Sequence, residues 1–253
     1  MFIVKSLVEK TIELENNILV IKVYSPEISS EIKPGQFLNI RVSETYSPLL
    51  RRPFSVCDVE GDFIFLMFNV LGEGTKILAQ KRKGETIDIL GPLGHGFNLD
   101  DDYQTAVIVA GGLGAAPFPY FVKKLPNDKR IISFVGGKTN NEVITYGLKN
   151  ILISTDDGSL GFKGTVIDLL NENLEILNKG KIKVFSCGPN AMLKAIKEFS
   201  IKNNFECEVS IESAMACGFG ICQGCPVEST SNKEKYSLVC KDGPVFNVRD
   251  IVL

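Results

Sequence analysis

Three cysteines of this chain lie within nine residues, in the segment MACGFGICQGC. Cys217, Cys222 and Cys225 have the spacing C-x4-C-x2-C, and Cys240 follows the third after fourteen residues. Three thiolates at this spacing, with a fourth farther along the chain, are the ligand set of a 2Fe-2S cluster. Metal-bound thiolates are deprotonated, which explains how thiols tolerate such crowding. The spacing therefore points to an iron-sulfur centre held by these four cysteines.

Glycines separate the clustered cysteines. We expect Gly218, Gly220 and Gly224 to adopt backbone angles that other residues avoid, so that the loop turns tightly around the cluster. A structural zinc site and unrelated free thiols are the alternatives. Zinc favours two C-x2-C pairs, and this chain has one, so the spacing favours iron.

The segment RRPFSV, at positions 51–56, could contribute to a flavin site. Arg52 supplies a phosphate-binding guanidinium, Phe54 a flat aromatic face and Ser55 a hydroxyl. Farther on, FNVLGEGTKIL leads from a strand through two glycines into a helix, whose N-terminus at Gly74 and Thr75 could bind phosphate. Each feature alone is more often ordinary structure. Their joint presence in a small β domain favours a flavin site.

A second glycine-rich turn follows an apolar strand in VIVAGGLGAAPF. A helix is expected to begin near Pro117, after Gly111, Gly112 and Gly114. Pro117 occupies the last position of the G-x-G-x-x-G fingerprint of dinucleotide sites, so the segment departs from that fingerprint. The segment CGP, at 187–189, ends a later strand of the same kind. Ligands bind at the carboxyl ends of the strands in such sheets, so both turns are candidate ligand contacts, with glycine packing as the alternative.

Three zones of sequence position these residues. Residues 1–98 contain short β-like runs between Gly, Pro and charged turns, which predict an antiparallel barrel or sandwich interrupted by one helix. Residues 99–209 alternate continuous apolar runs with amphipathic stretches, the pattern of a doubly wound α/β domain with a parallel sheet. Residues 210–253 are rich in Cys and Gly, and we expect a small module that a metal centre stabilises.

Composition excludes several classes of protein. With 253 residues, 44% hydrophobic and 23% charged, and a net charge of -2, the chain has the composition of a globular protein without a nucleic-acid footprint. The N-terminus lacks a signal-peptide pattern, and no apolar run approaches the length that spans a membrane. We therefore expect a cytoplasmic protein with no nucleic-acid or membrane partner. In that reducing compartment, clustered cysteines favour metal binding over disulfides.

The order of these motifs resembles a known family over essentially the whole chain. RRPFSV, GEGT, GPLGHGF, AGGLGAAP, TDDGSLG, SCGPNAMLKA, MACGFGICQGC and VCKDGPVF occur in the order found in electron-transfer subunits of class B dihydroorotate dehydrogenases, members of the ferredoxin reductase superfamily. The resemblance implies an N-terminal FAD-binding barrel, a middle NAD-binding domain and a C-terminal 2Fe-2S module. It also implies an FMN-containing dihydroorotate dehydrogenase catalytic subunit as partner, in a heterotetramer.

The resemblance assigns roles to individual residues. The residues that it places around FAD are Arg52, Pro53, Phe54, Ser55, Met67, Phe68, Asn69, Gly74 and Thr75. The residues that it places beside the nicotinamide nucleotide are Gly111, Gly112, Gly114, Cys187, Gly188 and Pro189. Its cluster ligands are Cys217, Cys222, Cys225 and Cys240.

The implied reaction is an electron relay. Dihydroorotate would reduce FMN on the partner, single electrons would cross the cluster to FAD, and hydride would pass from FAD to NAD+. Another oxidoreductase of the superfamily, linked to ferredoxin, sulfide or hydrogen metabolism, is one alternative. A non-catalytic zinc-binding module is the other.

Five further residues carry expectations. Ala214 and Gln223 depart from the family, which has arginine at the first position and often an aromatic residue at the second, and both are expected in the loop that faces the FMN subunit. Asp156, with its neighbouring aspartate in TDDGS, would repel the 2'-phosphate of NADP, although both could simply form a turn. His95 is expected to be a loop residue, because hydride transfer needs no proton carrier there.

Overall fold

The computed structural model describes residues 1–230 and 235–253. The N-terminal part of the chain forms a closed, six-stranded antiparallel barrel. Its strand order is β1-β2-β5-β4-β3-β6. The strands are β1 (Phe2–Glu13), β2 (Ile18–Tyr24), β3 (Phe37–Arg41), β4 (Arg52–Glu60), β5 (Phe63–Asn69) and β6 (Thr86–Leu93). Two short helices accompany the barrel, α1 (Pro26–Ser29) and α2 (Glu73–Ala79). Closure leaves the barrel without an unpaired edge.

A seven-stranded sheet follows, in the order β10-β9-β8-β7-β11-β12-β15. Its strands are β7 (Thr105–Gly111), β8 (Arg130–Gly137), β9 (Ile151–Thr155), β10 (Phe162–Lys163), β11 (Ile182–Cys187), β12 (Glu206–Ser210) and the antiparallel β15 (Val245–Asn247). Its helices are α3 (Phe118–Lys124), α4 (Val166–Glu172), α5 (Leu174–Leu177) and α6 (Asn190–Lys202). The strand order reverses between β7 and β11, the point at which doubly wound sheets bind ligands.

The cysteine-rich C-terminal segment adds a two-stranded antiparallel ribbon, β13 (Pro226–Glu228) and β14 (Tyr236–Leu238). Its later strand β15 then joins the large sheet beside β12. Cys225, Val239 and Cys240 are buried in one continuous core with Phe37 and Leu90 of the barrel and with the sheet. The cysteine-rich segment therefore shares its core with the rest of the chain.

The architecture confirms the predicted fold class, an antiparallel barrel before a doubly wound sheet. The β-like runs expected within residues 1–98 are strands, and α2 occupies the predicted helical segment. The twelve-residue strand β1 and the return of β15 to the sheet were not predicted. Within the part of the chain that the structure describes, no helix is both long and apolar enough to cross a membrane.

A buried ion network fixes the linker between the barrel and the sheet. Lys183, on β11, is 3% exposed, and its Nζ lies 2.6 Å from Glu208 Oε1 on β12. The same Nζ also contacts Asp101 Oδ2 and donates to the Asn98 carbonyl at 3.2 Å, both in the linker. Glu208 accepts a further hydrogen bond from the Asn98 N–H. The network therefore ties the linker to two strands of the sheet.

We expect Lys183→Met to lower the free energy of unfolding by about 3 kcal/mol, because removing one member of a buried ion pair leaves the other charge unpaired. Chemical denaturation of the full chain measures this loss. A second variant that also carries Glu208→Leu should recover part of it, since the stranded carboxylate is then gone. Equal stability of wild type and Lys183→Met would contradict this account of the linker.

Candidate functional site

A cavity of about 460 Å³ lies between barrel strands β4 and β5 and the carboxyl ends of the sheet strands β11 and β12. It is lined by most of the residues that the resemblance places around FAD. These are Arg52, Pro53, Phe54, Ser55, Met67, Phe68, Asn69 and Thr75, and Cys187 from the predicted nucleotide set lines it as well. Gly74 lies directly behind Arg52.

The two consecutive arginines of RRPFSV have different surroundings. Arg51 forms an ion pair with Asp88, at 2.6 Å, and donates to the Asp88 and Asn39 carbonyls. Arg52 faces the cavity and donates to the Leu50 carbonyl. Among the described residues, no carboxylate lies within ion-pair distance of Arg52. Arg52 can therefore bind an anion in the cavity, whereas Arg51 is structural.

The turn before α2 is shaped around Arg52. A Cβ on Gly74 would lie 2.7 Å from Arg52 Nε, so a larger residue there would displace the guanidinium from its present position. Thr75 Oγ1 accepts the N–H of Leu71, at 3.0 Å, and of Gly72, at 3.2 Å. The threonine hydroxyl thus closes its own turn, and the contacts left for a phosphate are the Arg52 guanidinium and first-turn N–H groups.

Aromatic and apolar side chains form the barrel wall of the cavity. Phe54 and Phe68 are both buried, and their rings pack edge to face with centroids 5.9 Å apart. Met67 is 2% exposed, while Ser55 and Asn69 remain partly open to the cavity. An apolar wall with a few polar groups suits a flat, partly polar ring.

The glycine turns after β7 and β11 meet at the point where the strand order reverses. A Cβ on Gly188 would lie 3.1 Å from Gly111 N, and a Cβ on Gly114 would lie 2.6 Å from Gly188 Cα. Gly112 has a φ of +53°. Pro189 precedes α6 directly. The structure brings these predicted residues together, and their glycines allow the two backbone turns to approach each other.

Cys187 and Glu212 both line the cavity, at the ends of the sheet strands. Burial raises the pKa of Cys187 to about 12, and the Glu212 charge adds to this effect, so the thiol stays protonated at neutral pH. Desolvation raises the pKa of Glu212 as well, although the residue keeps an exposed side. This wall therefore presents a neutral thiol and a carboxyl group that accepts a proton more readily than usual.

The end of β12 and the segment after it supply cavity residues that the sequence did not place there. These are Ser210, Ile211, Glu212, Ser213, Ala214 and Met215. The signal was available, because β12 is a parallel strand and its carboxyl end had to reach the ligand side of the sheet. Ala214, which the sequence places in a loop expected to face a partner, lines this cavity.

The ribbon β13–β14 explains how the distant fourth cysteine joins the others. Cys225 directly precedes β13, and the Val239 N–H donates to the Cys225 carbonyl at 2.9 Å as the ladder continues beyond β14. Cys240, one residue later, has its N–H 3.4 Å from Cys225 Sγ. Both cysteines are 2% exposed. They form an inner pair at the base of the cysteine-rich segment.

Cys217 and Cys222 form an outer pair in the loop. The Cys222 N–H points at Cys217 Sγ, at 3.4 Å, and Cys222 is exposed. Burial opposes ionisation of Cys217, but the N–H groups of Cys222 and of two preceding loop residues outweigh it and lower the pKa of the thiol to about 6. In the inner pair, burial and the neighbouring Cys225 raise the pKa of Cys240 to about 12.

The predicted backbone freedom of the loop is correct at two of the three glycines. Gly218 and Gly220 have φ values of +83° and +92°. Gly224 does not have a positive φ; Gln223 takes that conformation instead, at +57°, and its side chain donates to the Gly220 carbonyl at 2.7 Å. Gln223 therefore braces the loop as a turn residue.

The donor set suits two metal ions rather than one. In each of the two thiol pairs, the backbone N–H of one cysteine points at the sulfur of the other. Two such pairs match two irons that each have two thiolate ligands. Within residues 1–230 and 235–253, no three Cys, His, Asp or Glu side chains are grouped closely enough to share a single metal ion. The residues present therefore fit a 2Fe-2S cluster.

The expectation for His95 agrees with its position. Its N–H donates to the Gly243 carbonyl at 2.5 Å, and the residue forms a bridge with Pro244. His95 lines a different groove from the flavin-type cavity. The glycine-rich loop GPLGHGF thus packs against the turn that follows Cys240.

Comparisons with known proteins agree with this geometry. Residues 212–252 match the family model described as the iron-sulfur cluster binding domain of dihydroorotate dehydrogenase B. The electron transfer subunit of dihydroorotate dehydrogenase B (NAD(+)) from Desulforamulus reducens is 37% identical over 235 residues, which cover 88% of this chain and 87% of that protein. The subunit of the same name from Caldanaerobacter subterraneus is 39% identical over 223 residues, covering 87% of each chain.

Solved structures share the fold. The structure of an NADH-dependent reduced ferredoxin-NADP oxidoreductase superposes with a TM-score of 0.86 at 26% identity, and covers 98% of this chain and 89% of that one. A ferredoxin NADP+ reductase from Neisseria gonorrhoeae with bound FAD and NADP has a TM-score of 0.62 at 16% identity, over 79% of this chain and 91% of that one. Given its identity to the curated relatives over most of their length, the chain belongs to the family of electron transfer subunits of NAD(+)-dependent dihydroorotate dehydrogenase B.

Proposed function

We propose that this chain carries electrons to NAD+ from a partner subunit that oxidises dihydroorotate. The reaction belongs to the biosynthesis of pyrimidines. The observation that carries the proposal is that one chain combines a cavity lined by Arg52, Phe54 and Ser55 with four cysteines in two pairs. Nicotinamide takes electrons in pairs as hydride, a 2Fe-2S cluster moves them singly, and FAD does both. The chain therefore needs all three groups, and it offers a place for each.

The barrel residues would bind and orient FAD. Arg52 would hold the pyrophosphate through its free guanidinium donors, with the backbone at Gly74 close behind it. The aromatic and apolar wall of the cavity would hold the ring, with Ser55 at its edge and Asn69 toward the ribityl chain. Phe54 and Phe68 exclude water from this wall because both are buried.

The sheet residues would bind NAD beside the flavin. The glycine turns at Gly111 and Gly188 let a nucleotide backbone approach the sheet, and Cys187 lines the cavity next to them. Because the Cys187 thiol stays protonated, it places no negative charge beside the ring that accepts hydride. The nicotinamide would thus reach the flavin from the sheet side of the cavity.

The four cysteines would hold the cluster as thiolates. Backbone N–H groups lower the pKa of Cys217, which favours the thiolate form that binds iron. The buried inner pair, Cys225 and Cys240, fastens the cluster to the core shared with the barrel. Cys222 lies at the surface, so it would hold the cluster on the side of the loop that solvent reaches.

An apolar groove of about 330 Å³ beside the cluster loop is the surface that would meet the FMN subunit. Its exposed large apolar side chains are Met1 (71%), Ile3 (72%), Leu49 (69%), Leu50 (49%) and Phe219 (40%). Cys217 also lines the groove, so a partner bound there would come close to the cluster. Exposed apolar surface of this kind is typical of a protein interface.

We infer a heterotetramer of two copies of each subunit, in the cytoplasm. We also infer a functional division into an FAD barrel at 1–98, an NAD domain at 99–209 and a 2Fe-2S module at 210–253. The resemblance to the family supports both inferences.

Reduction of NAD+ by dihydroorotate tests the function directly. The full chain, purified with its FMN-containing partner, should reduce NAD+ when dihydroorotate is added, and each subunit alone should not. Omitting the partner provides the control. Activity with reduced ferredoxin, but none with dihydroorotate and the partner, would instead favour a ferredoxin-linked oxidoreductase, the function named for the structure with the TM-score of 0.86.

Replacement of Asp156 should relax the preference for NAD. Asp156 follows β9, and its exposed carboxylate would face a 2'-phosphate bound across the ends of β8 and β9. We expect Asp156→Ala to raise kcat/KM for NADPH about tenfold by removing this repulsion, with little change for NADH. Steady-state kinetics with an artificial electron acceptor measures both values.

Asp157 provides the matched control for this prediction. Its carboxylate accepts from the Ser159 N–H at 2.9 Å and from the Ser159 hydroxyl at 2.6 Å, so it forms the turn. Asp157→Ala should therefore lower stability more than it changes cofactor choice. Equal turnover of NADH and NADPH by the wild type would contradict the assignment to NAD.

A further inference from the structure

Asn39 is a fully buried polar residue on barrel strand β3 that the predicted sites leave unexplained. Its neighbours Leu38 and Ile40 point into the barrel core, so Asn39 points outward, toward the cysteine-rich segment. Asn39 Nδ2 donates to the carbonyl of Cys217 at 3.3 Å. The barrel is thus bonded to the main chain of the first cysteine of the loop.

The approach between Asn39 and the loop is close. Gly218 has a φ of +83°, and a Cβ at this position would lie 2.5 Å from Asn39 Nδ2. A side chain on residue 218 would therefore push the amide away from Cys217. The glycine that follows the first cysteine is needed for this contact as well as for the backbone turn.

The main chain of Asn39 links the two predicted cofactor sites. In the strand register, Asn39 lies opposite Pro53 of β4, which lines the flavin-type cavity. On its other side it lies opposite Leu90 of β6, which lines the groove together with Cys217. Arg51 Nη1 donates to the Asn39 carbonyl at 3.2 Å and holds the strand in place. Asn39 therefore lies between a residue that lines the flavin-type cavity and a residue that lines the groove beside the cysteine loop.

The amide of Asn39 is not explained by stability. Its Oδ1 is buried and has no hydrogen-bond partner among the described residues. A buried acceptor without a donor is unfavourable, and an apolar side chain of similar size would avoid that cost. The Nδ2 contact to Cys217 is the interaction that an apolar residue could not reproduce.

We propose that Asn39 is a positioning residue for the iron-sulfur cluster, which holds the Cys217 end of the loop at a fixed distance from the flavin. This inference rests on the proposed function, because it needs a cluster at the four cysteines. The outer pair depends on this bond more than the inner pair, since Cys225 and Cys240 are already held by the core. Loss of the bond leaves the outer thiolates free to move, which loosens the cluster and weakens its electron exchange with FAD.

Asn39→Leu tests the inference in the full chain purified anaerobically. We expect an altered electron paramagnetic resonance spectrum of the reduced cluster and about tenfold faster loss of iron to a chelator, the size of effect typical when a group that supports a metal ligand is removed. After mixing with NADH, which delivers two electrons to FAD, the one-electron reduction of the cluster should also slow about tenfold. FAD content and the bleaching of FAD by NADH should stay unchanged.

Two further variants keep the test decisive. Thr11→Val removes a different buried polar group without a partner, a hydroxyl on β1 of the same barrel, and should match the wild type in every readout. Asn39→Asp keeps the size of the side chain but loses the donor when ionised, and should reproduce the faster iron loss.

The outcomes separate this inference from the proposed function. Wild-type iron loss and cluster reduction in Asn39→Leu would overturn the role of Asn39, and so would loss of FAD in both Asn39 variants, which would indicate a role in folding alone. Wild-type protein without the signal of a 2Fe-2S cluster would overturn the proposed function, and this inference with it.

Discussion

Cys225→Ser is expected to eliminate the iron-sulfur cluster and to lower dihydroorotate-dependent NAD+ reduction by about 100-fold or more. Cys225 is 2% exposed and is paired with Cys240, so no other thiol can take its place at the base of the segment. In the proposed relay the cluster is the single-electron link between the partner and FAD, and without it the two are disconnected. The reduction of an artificial acceptor by NADH should persist, because it uses FAD alone.

Cys207→Ala is the matched control for this prediction. Cys207 is also buried, at 1% exposure, but it lies on β12 and belongs to neither cysteine pair. Its variant should keep the cluster and the full reaction. The comparison uses iron content and the two activities on the same preparations. A Cys225→Ser protein that still reduces NAD+ with dihydroorotate at the wild-type rate would show that the electrons bypass the cluster.

Arg52→Ala is expected to weaken FAD binding by about 10- to 100-fold, the value of one or two charge-assisted hydrogen bonds to a phosphate. Arg52 is the arginine of RRPFSV without an ion-pair partner in the part of the chain that the structure describes, and it faces the cavity. Most of the purified variant should lack flavin and therefore fail to oxidise NADH. Addition of excess FAD should restore NADH oxidation. Titration of the flavin-free protein with FAD measures the affinity.

Arg51→Ala separates binding from stability. Arg51 is engaged with Asp88 and with two backbone carbonyls, so its loss should lower the midpoint of thermal unfolding. Its FAD affinity should stay within about threefold of the wild type, because Arg51 does not line the cavity. If Arg51→Ala lost FAD and Arg52→Ala kept it, the assignment of the two arginines would be reversed.

The sequence was most informative where chemistry restricts the choice of residue. The spacing of Cys217, Cys222 and Cys225 indicated the cluster loop, because few ligand sets share it. Strands such as β2 and β5 were clear, since their apolar runs end at charged residues or turn formers. The sequence likewise identified β11, whose six residues are all buried.

Other features depended on tertiary contacts that no local pattern reveals. Strand β1 alternates exposed and partly buried residues, and its pairing with β6 closes the barrel. The cavity wall at Glu212 arises from the position of β12 in the sheet, and Ala214 follows it into that wall. The contact of Asn39 with Cys217 joins residues 178 positions apart. Contacts of this range are set by the packing of the barrel against the cysteine-rich segment.

The metal and flavin content of the anaerobically purified chain tests the central claim most directly. Iron, zinc and flavin are quantified on one sample whose visible spectrum is recorded. The account predicts a brown-yellow protein with about two irons and one FAD per chain, and little zinc. A colourless protein that contains zinc and no flavin would contradict it.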